Sequence, residues 1–459
     1  MIQQTEAIAQ TLEPIIGTSG VSKLDTDWQE KITTAVTPET QPDCIAYPDA
    51  QEELGQVVAC AYRKRWQILP TGNGSKLGWG GLVQTDPASP PLGRGIPPLP
   101  PLGRGVGGIV VVSTARLNRL VEHAVGDLTV TAEAGMKFGD LQAILAKEGQ
   151  FLALDPAYPQ HATLGGIVAT ADAGSLRQRY GGVRDMLLGI SFVRFDGEIA
   201  KAGGRVVKNV AGYDLMKLFT GSYGTLGIIS QVTFRVYPIP DASQTVVLMG
   251  TADNIAQATK TLLASALTPT AIDLLSTGLV TRLGIGEGMG LVTRFQSVEA
   301  SVKEQSARLL ELGQHLGLKG STYAGNDESN LWQKLGEQMQ VSATNGGISC
   351  KIGVLPTGAI ATLTLVDSLA SGDAIAFIHA GSGLGVLRLD NPDGEVVGKM
   401  RSHCQSHSGF LTVLEAPVAF KQQFDVWGYS GNALDLMRKI KQQFDRENMF
   451  SPHRFVGGI

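Results

Sequence analysis

A glycine-rich loop directly after a strand-like run is the feature that most restricts how this chain can fold. The segment "PTGNGSKLGWGG", residues 70–81, follows the largely apolar run 66–69. Glycine adopts positive φ freely and lets another group approach the peptide plane, while successive N–H groups of such a loop form a concave anion site. Gly72, Gly74 and Gly78 therefore suit a pyrophosphate, although a plain tight turn explains a single loop of this kind equally well.

The spacing of these glycines excludes two common phosphate loops. A Rossmann G-x-G-x-x-G would need glycine at Leu77, and no G-K-[ST] follows as in a Walker A loop. Further glycines at 165–166, 181–182 and 221–227 also lie between apolar, strand-like runs. Because glycine is entropically costly in ordered structure, several such clusters favour a large, flat, phosphorylated ligand that touches several loops.

Composition restricts the class of protein. The 459 residues carry a net charge of -4 and a pI near 6.0, which argues against a nucleic-acid or polybasic membrane surface. The longest apolar runs are strand-sized, and the N-terminus lacks the pattern of a secretion signal, so we expect a soluble, cytoplasmic protein without a transmembrane segment. The four cysteines are scattered without C-x-x-C spacing, so neither a disulfide framework nor a zinc or iron–sulfur cluster is predicted.

The first half alternates strands and helices. Residues 37–75 predict a strand, an amphipathic helix from about Ala50 to Arg65, a second strand and the glycine loop. A Pro/Gly-rich insertion at 84–107 repeats "PPLGRG" and is expected to be an exposed, tolerated loop. The second half runs twice through strand, helix, strand, strand, helix, strand, which is a ferredoxin-like order.

Four motifs in order carry a family resemblance. They are "PTGNGSKLGWGG", "DPAYPQHATLGGIVATADAG", "YGGVRDMLLGISFVRFDGEI" and "VVKNVAGYDLMKLFTGSYGTLGIISQVTFRVYP". This series resembles the FAD-binding PCMH-type oxidoreductases of the vanillyl-alcohol oxidase superfamily, and within them it is most similar to the FAD-binding E subunits of glycolate oxidase, or glycolate dehydrogenase. The resemblance covers about residues 39–240, and the C-terminal "LMRKIKQQFDRENMFSP" adds to it.

The resemblance implies an α+β fold. A PCMH-type FAD-binding domain of two α/β subdomains is followed by a ferredoxin-like, antiparallel-sheet cap domain. We predict an N-terminal helical lead at 1–38, the FAD domain at 39–240 and the cap or substrate domain at 241–459, whose segment 434–455 returns to the FAD domain.

The resemblance also implies which residues bind FAD. The loop at 70–76 would wrap the pyrophosphate, and no histidine or cysteine stands in it, so the FAD is expected to be non-covalent. The residues carried over as cofactor contacts are Pro70, Thr71, Gly72, Asn73, Gly74, Ser75, Lys76, Gly135, Pro156, Thr163, Gly165, Gly166, Ala173, Gly174, Gly224 and Ile229.

Candidate catalytic residues come from two places. In "KNVAGYD", Lys208 and Tyr213 could tune the flavin or hold a substrate carboxylate; equally, Asp214 caps the following helix while Tyr213 packs. In the cap, "FIHAGSGLGVLRL" places His379 where the catalytic D subunits of the family carry a histidine-rich metal and substrate motif, and Arg388 could clamp a carboxylate.

No metal site is predicted. Val386 and Leu387 stand where a second ligand would be needed, and one histidine does not make a divalent site. His403 and His407 have helical i, i+4 spacing, but an exposed helix end explains them equally well.

The preferred function is that of the FAD-binding subunit of a glycolate oxidase or dehydrogenase complex, which oxidises glycolate to glyoxylate. Its expected partners are a catalytic D-type flavoprotein and an iron–sulfur F-type subunit, through which the chain would be peripheral to a membrane. One rival is a self-sufficient FAD-dependent 2-hydroxy-acid dehydrogenase of the D-lactate type. The other is a non-catalytic scaffold subunit that has lost FAD.

Overall fold

A computed structural model describes residues 2–85, 108–205, 212–340, 346–369, 373–391 and 393–459, with side chains from residue 8 onwards. The described chain divides into two compact units. Unit 1 comprises Met1–Ala173, Gly182–Pro238 and Lys421–Ile459, and unit 2 comprises Gly174–Gly181 and Ile239–Phe420. Most of the predicted Pro/Gly-rich insertion, and Lys208, lie outside the described residues. No helix in the described ranges has the length and apolar character needed to cross a membrane.

The elements are numbered in chain order. The strands are β1 (Val21–Ser22), β2 (Ile45–Ala46), β3 (Gln67–Thr71), β4 (Ile109–Ser113), β5 (Leu120–Ala124), β6 (Thr129–Glu133), β7 (Gln150–Phe151), β8 (Leu187–Val193), β9 (Ile199–Gly203), β10 (Ile228–Arg235), β11 (Tyr237–Pro238), β12 (Ala242–Gly250), β13 (Ala271–Leu275), β14 (Met289–Ser297), β15 (Lys319–Ala324), β16 (Ile348–Gly353), β17 (Ala374–His379), β18 (Leu384–Leu389) and β19 (Phe410–Glu415). The helices are α1 (Ile2–Ile16), α2 (Thr26–Thr33), α3 (Gln51–Lys64), α4 (Phe138–Ala146), α5 (Leu164–Thr170), α6 (Arg177–Tyr180), α7 (Val183–Met186), α8 (Leu215–Phe219), α9 (Ala252–Ala264), α10 (Thr277–Leu283), α11 (Glu299–His315), α12 (Gly325–Gln338), α13 (Ala359–Leu369), α14 (Gly394–Ser406), α15 (Val418–Gln423) and α16 (Leu434–Phe444).

A four-stranded sheet of order β1-β2-β4-β3 forms one layer of unit 1, with β2, β4 and β3 parallel. Alternate residues of a strand point to opposite faces, and both faces of this sheet are buried. Val110 and Val112 pack with α1 and α3, whereas Ile109 and Val111 pack with α2. The apolar run of β4 therefore serves two cores, and the predicted helical lead contributes β1 to the sheet and α1 to one core.

A five-stranded antiparallel sheet of order β5-β6-β10-β8-β9 forms the second part of unit 1. The polar residues of β6 alternate as the sequence indicates, yet all five residues of this strand are buried. Thr131 pairs with the hydroxyl of Thr233 at 2.9 Å, and Glu133 accepts hydrogen bonds from Arg119. Thr131 and Glu133 thus have the partners that buried polar groups usually find, whereas the buried hydroxyl of Thr129 has none among the described residues.

Unit 2 contains one eight-stranded antiparallel sheet of order β15-β12-β14-β13-β17-β18-β16-β19. Strands β12 to β15 form one ferredoxin-like half and β16 to β19 form the other, as the twofold pattern predicts. The halves join edge to edge through β13 and β17, where Asp273 lies opposite His379. The α+β class with an antiparallel-sheet second half is confirmed.

The local predictions differ in accuracy. Helix α3 runs Gln51–Lys64, against the predicted 50–65, and ends at Arg65 in the left-handed conformation with φ 58°. Between β13 and β14 the structure has α10, where the sequence pattern indicated a direct strand-to-strand connection.

Candidate functional site

A cavity of about 720 Å³, part of it open to solvent, lies within unit 1. Three glycine-containing segments meet there: the loop after β3, the start of α5 and the segment before β10. The lining residues are Pro70, Thr71, Gly72, Asn73, Gly74, Ser75, Lys76, Leu77, Thr114, Ala162, Thr163, Gly165, Gly166, Ala169, Thr170, Tyr223, Gly224, Gly227, Ile228, Ile229 and Arg454.

The cavity brings together most of the residues predicted to bind a cofactor. The cavity is lined by the predicted residues of the first loop, by Thr163 and the two glycines at 165–166, and by Gly224 and Ile229. Gly135, Pro156, Ala173 and Gly174 do not, and Gly174 belongs to unit 2. Whether the lining residues contact a cofactor stays a prediction.

Gly135 is a glycine because the chain's own backbone passes close to it. A Cβ at this position would lie 1.8 Å from the carbonyl oxygen of Thr114 and 2.7 Å from that of Leu117. The N–H of Gly135 donates to that Leu117 oxygen at 2.8 Å. Gly135 therefore lies close to the backbone of the turn at 114–117, and Thr114 of that turn lines the cavity.

The glycine loop packs against protein atoms over much of its length. A Cβ at Gly72 would lie 2.1 Å from Oγ1 of Thr163, the N-cap residue of α5. Gly74 has φ 76°, a conformation that favours glycine, and its Cβ would contact Trp28 and Lys31. The density of glycines thus has a structural cause besides the predicted ligand.

A buried ion pair stands beside the loop. Lys76 is paired through Nζ with Asp172, whose Oδ2 also accepts the N–H of Ala157 at 2.9 Å. Burial lowers the pKa of Lys76, and the Asp172 carboxylate opposes that shift. Lys76 therefore places a cation in the cavity wall, but the Asp172 carboxylate already balances its charge.

Two further cations reach the loop from the segment 421–459, and sequence reasoning missed both. Arg454 donates from Nη2 to the carbonyl oxygens of Leu77 at 2.6 Å and Trp79 at 3.1 Å. Lys421 donates from Nζ to the carbonyl oxygen of Gly78. Burial lowers the pKa of Arg454 to about 10. Arg454 lies two residues beyond the quoted C-terminal stretch and Lys421 lies before it, and no sequence pattern gave either residue a role.

Of the candidates in "KNVAGYD", Tyr213 does not line the cavity. Lys208 lies outside the described residues, and Tyr213 is 87% exposed rather than packed. Asp214 occupies the N-cap position of α8 without a capping hydrogen bond and pairs with Lys217 at 2.9 Å.

In unit 2, His379 belongs to a buried group of three side chains. Its Nδ1 lies 2.6 Å from Oδ1 of Asp273, and Oδ2 of the same carboxylate accepts a hydrogen bond from Oγ of Ser175 at 2.5 Å. All three residues are at most 6% exposed. A carboxylate at Nδ1 makes that nitrogen the protonated one and leaves Nε2 as the acceptor, an assignment drawn from the hydrogen-bond network.

Arg388 is occupied by structural partners. Its Nε donates to Asp390 at 2.9 Å, and its Nη1 donates to the carbonyl oxygens of Gln338 and Gln340. It pairs across the sheet with Ile375, four residues before His379, which is about 13 Å along a strand. The structure therefore does not bring Arg388 and His379 together.

His403 and His407 lie at the C-terminal end of α14 with ring centroids 4.3 Å apart. Nε2 of His403 is 3.1 Å from the hydroxyl of Thr362. Burial, and then His407, lowers the pKa of His403. In the described ranges no three or more His, Cys, Asp or Glu side chains are grouped to hold a metal ion.

Residues 99–203 match the family described as "FAD binding domain". Among curated proteins, glycolate oxidase subunit GlcD of Bacillus subtilis (strain 168) is 28% identical over 268 residues, covering 57% of this chain and 52% of its own length. Glycolate oxidase subunit GlcE of Escherichia coli (strain K12) is 41% identical over 125 residues, covering 27% of this chain and 36% of its own length. D-lactate dehydrogenase (cytochrome), mitochondrial, of Arabidopsis thaliana is 27% identical over 272 residues, covering 58% and 44%. The chain thus spans about half, or less, of the length of these relatives.

A solved structure of p-cresol methylhydroxylase with substrate bound shares the fold. It covers 100% of this chain and 97% of its own, with a TM-score of 0.72 and 15% identity. At that identity the likeness concerns the fold alone, and it confirms the predicted PCMH-type architecture.

Proposed function

We propose that this chain, whose residues 99–203 match an FAD binding domain and whose fold is of PCMH type, is the FAD-binding subunit of a complex that oxidises glycolate to glyoxylate. The observation that carries the proposal is the convergence of three of the four glycine segments on one cavity of unit 1; the fourth, at 181–182, does not line it. The 41% identity to a glycolate oxidase E subunit supports the choice of substrate, and the fold supports the choice of cofactor.

The residues of the cavity fit FAD. Backbone N–H groups of the glycine loop suit phosphate oxygens. The buried Nε of Arg454 has no partner among the described residues, as expected where an absent ligand supplies one. When bound, FAD would supply the two-electron acceptor for oxidation of the hydroxy acid. The chain's own part is to bind and orient the cofactor and to shield it from water.

The proposed partners are a catalytic D-type flavoprotein and an iron–sulfur subunit, through which electrons would leave. The similarity to both a D-type and an E-type glycolate oxidase subunit supports a multi-subunit complex. Location in the cytoplasm, at a membrane surface only through these partners, is part of the same proposal.

A second candidate, a self-contained 2-hydroxy-acid dehydrogenase of the D-lactate type, is favoured by one observation. Asp273 holds His379 in a single tautomer with Nε2 as acceptor, and a side chain that takes a proton from a substrate hydroxyl needs this arrangement. The similarity to a D-lactate dehydrogenase also supports this candidate.

An anaerobic visible spectrum of the purified chain tests the two candidates. FAD released by denaturation, with the protein left colourless, would establish non-covalent binding. A flavin band that stays oxidised with glycolate until a D-type flavoprotein is added supports the subunit. A band bleached by glycolate or D-lactate alone supports the second candidate, in which case His379→Gln slows bleaching while the surface control His315→Gln does not. A purified chain that binds no FAD when supplied with it contradicts both and favours the scaffold.

A further inference from the structure

We propose that Arg454 supplies the unbalanced positive charge that holds the diphosphate of FAD, so that the segment 421–459 is part of the flavin site. This inference rests on the proposed function and deepens it. Arg454 lies far outside the residues that match the FAD binding domain, 99–203.

Arg454 is a buried cation whose charge has no carboxylate partner. It is 4% exposed, and in the described part of the chain no acidic side chain lies within ion-pair distance of it. Two of its hydrogen bonds go to the neutral carbonyl oxygens of Leu77 and Trp79. A buried charge without a counter-charge is strongly unfavourable, so the site is expected to be completed by an anion.

The charges of the cavity wall agree with this. Its charged residues are Lys76 and Arg454. Lys76 is already paired with Asp172, which leaves one positive charge on the wall uncompensated. Guanidinium groups form strong, directional hydrogen bonds with phosphate oxygens.

Further buried polar atoms without a hydrogen-bond partner indicate that the anion carries several oxygen atoms. The buried Nε of Arg454 has no hydrogen-bond partner among the described residues, and neither has the hydroxyl of Ser451. That hydroxyl lies 3.5 Å from the position of a Cβ on Gly224, which lines the cavity. With the N–H groups of the glycine loop, these donors match a diphosphate better than a single carboxylate.

Arg454 could instead act only as a clamp that shapes the loop, and Lys421 provides the matched control. Lys421 donates to the carbonyl oxygen of Gly78 in the same loop but does not line the cavity. A role in shaping the loop is shared by both residues, whereas contact with a diphosphate is expected of Arg454 alone.

The test compares FAD with riboflavin, which lacks both phosphates and adenosine. The full-length apoprotein is titrated with each flavin and binding is followed by flavin fluorescence. We expect Arg454→Met to weaken FAD binding by about 10- to 100-fold and riboflavin binding by less than about threefold, in line with hydrogen bonds to a charged group. Lys421→Met is expected to change the two affinities by the same factor.

Equal weakening of both flavins by Arg454→Met, or unchanged FAD affinity, would overturn the inference. Arg454→Lys keeps the charge and gives the same comparison if the methionine variant does not fold: a loss confined to FAD supports the inference, and an equal loss for both flavins overturns it. A wild-type chain that binds neither flavin contradicts the proposed function itself, which separates that failure from a failure of the role of Arg454.

Discussion

Nδ1 of His379 lies 2.6 Å from Oδ1 of Asp273, across the strand pair that joins the two halves of the eight-stranded sheet. The carboxylate is fully buried and its second oxygen is bound by Ser175. Asp273 therefore depends on two side chains for the polar contacts that water would otherwise provide, and it links the sheet to the segment 174–181.

Removing the imidazole of His379 should leave the Asp273 carboxylate with too few hydrogen-bond partners. We expect His379→Ala to lower the free energy of unfolding by about 3–5 kcal/mol, because it leaves the buried charge of Asp273 without this hydrogen bond. Urea unfolding followed by circular dichroism measures it. His315→Ala, at the exposed end of α11, should change the value by less than about 0.5 kcal/mol. A loss below about 1 kcal/mol for His379→Ala would contradict the importance of the pair.

Gly135 should not tolerate a side chain. Because its Cβ would overlap the backbone oxygen of Thr114, we expect Gly135→Ala to destabilise by about 1–3 kcal/mol or more. Gly126→Ala is the control, since no atom outside its immediate neighbours lies within 4 Å of a Cβ there. Thermal unfolding of both variants checks this, and equal melting temperatures would contradict the close approach.

Stability should fall in mild acid through His403. Its pKa is lowered in the folded state from 6.5, so just below pH 6.5 the unfolded chain binds more protons than the folded one. The free energy of unfolding therefore decreases as pH falls through that window. Urea unfolding between pH 7 and pH 5 should show a steeper decrease for wild type than for His403→Gln. Parallel curves would be evidence against this role.

The cysteine thiols should be unreactive in the native protein. All four are buried, and burial raises the pKa of Cys44 and Cys350 to about 12 and that of Cys404 to about 11. Because the thiolate is the reactive form, we expect no fast reaction with a disulfide reagent at neutral pH and four reacting thiols after unfolding. A fast-reacting thiol in the folded chain would disprove the burial of at least one cysteine.

Local patterns were predictable where one helix or strand determines them. The position of α3 follows from its amphipathic spacing, and the twofold order of unit 2 follows from alternating strand and helix patterns. Three of the four glycine segments line one cavity of unit 1, whereas the segment at 181–182 does not.

The segment "GLVTR" shows why local patterns are insufficient. It occurs at 278–282 in α10 and again at 290–294 in β14. The helical copy is preceded by Ser276, whose side chain caps α10, and followed by Gly284 in the left-handed conformation. The strand copy is held by pairing with β12 and β13 on both sides. Identical residues therefore take different structures according to their flanks and partners.

Long-range partners account for what was missed in the candidate site. Nothing near Asp273 in the sequence indicates that it faces His379, 106 positions later. The same holds for Arg454, which contacts a loop 377 positions earlier. For Tyr213, packing was one of two interpretations left open by the sequence, and the side chain is exposed instead.

The attachment of the glycine loop to Lys421 and Arg454 has a consequence for biosynthesis. The carbonyl oxygens at 77–79 accept from side chains that are translated 343 and 377 residues later. At about 5–20 residues per second, the loop leaves the ribosome roughly 20–70 s before these partners exist. A cofactor that requires the finished loop is therefore taken up only after the segment 421–459 has been made.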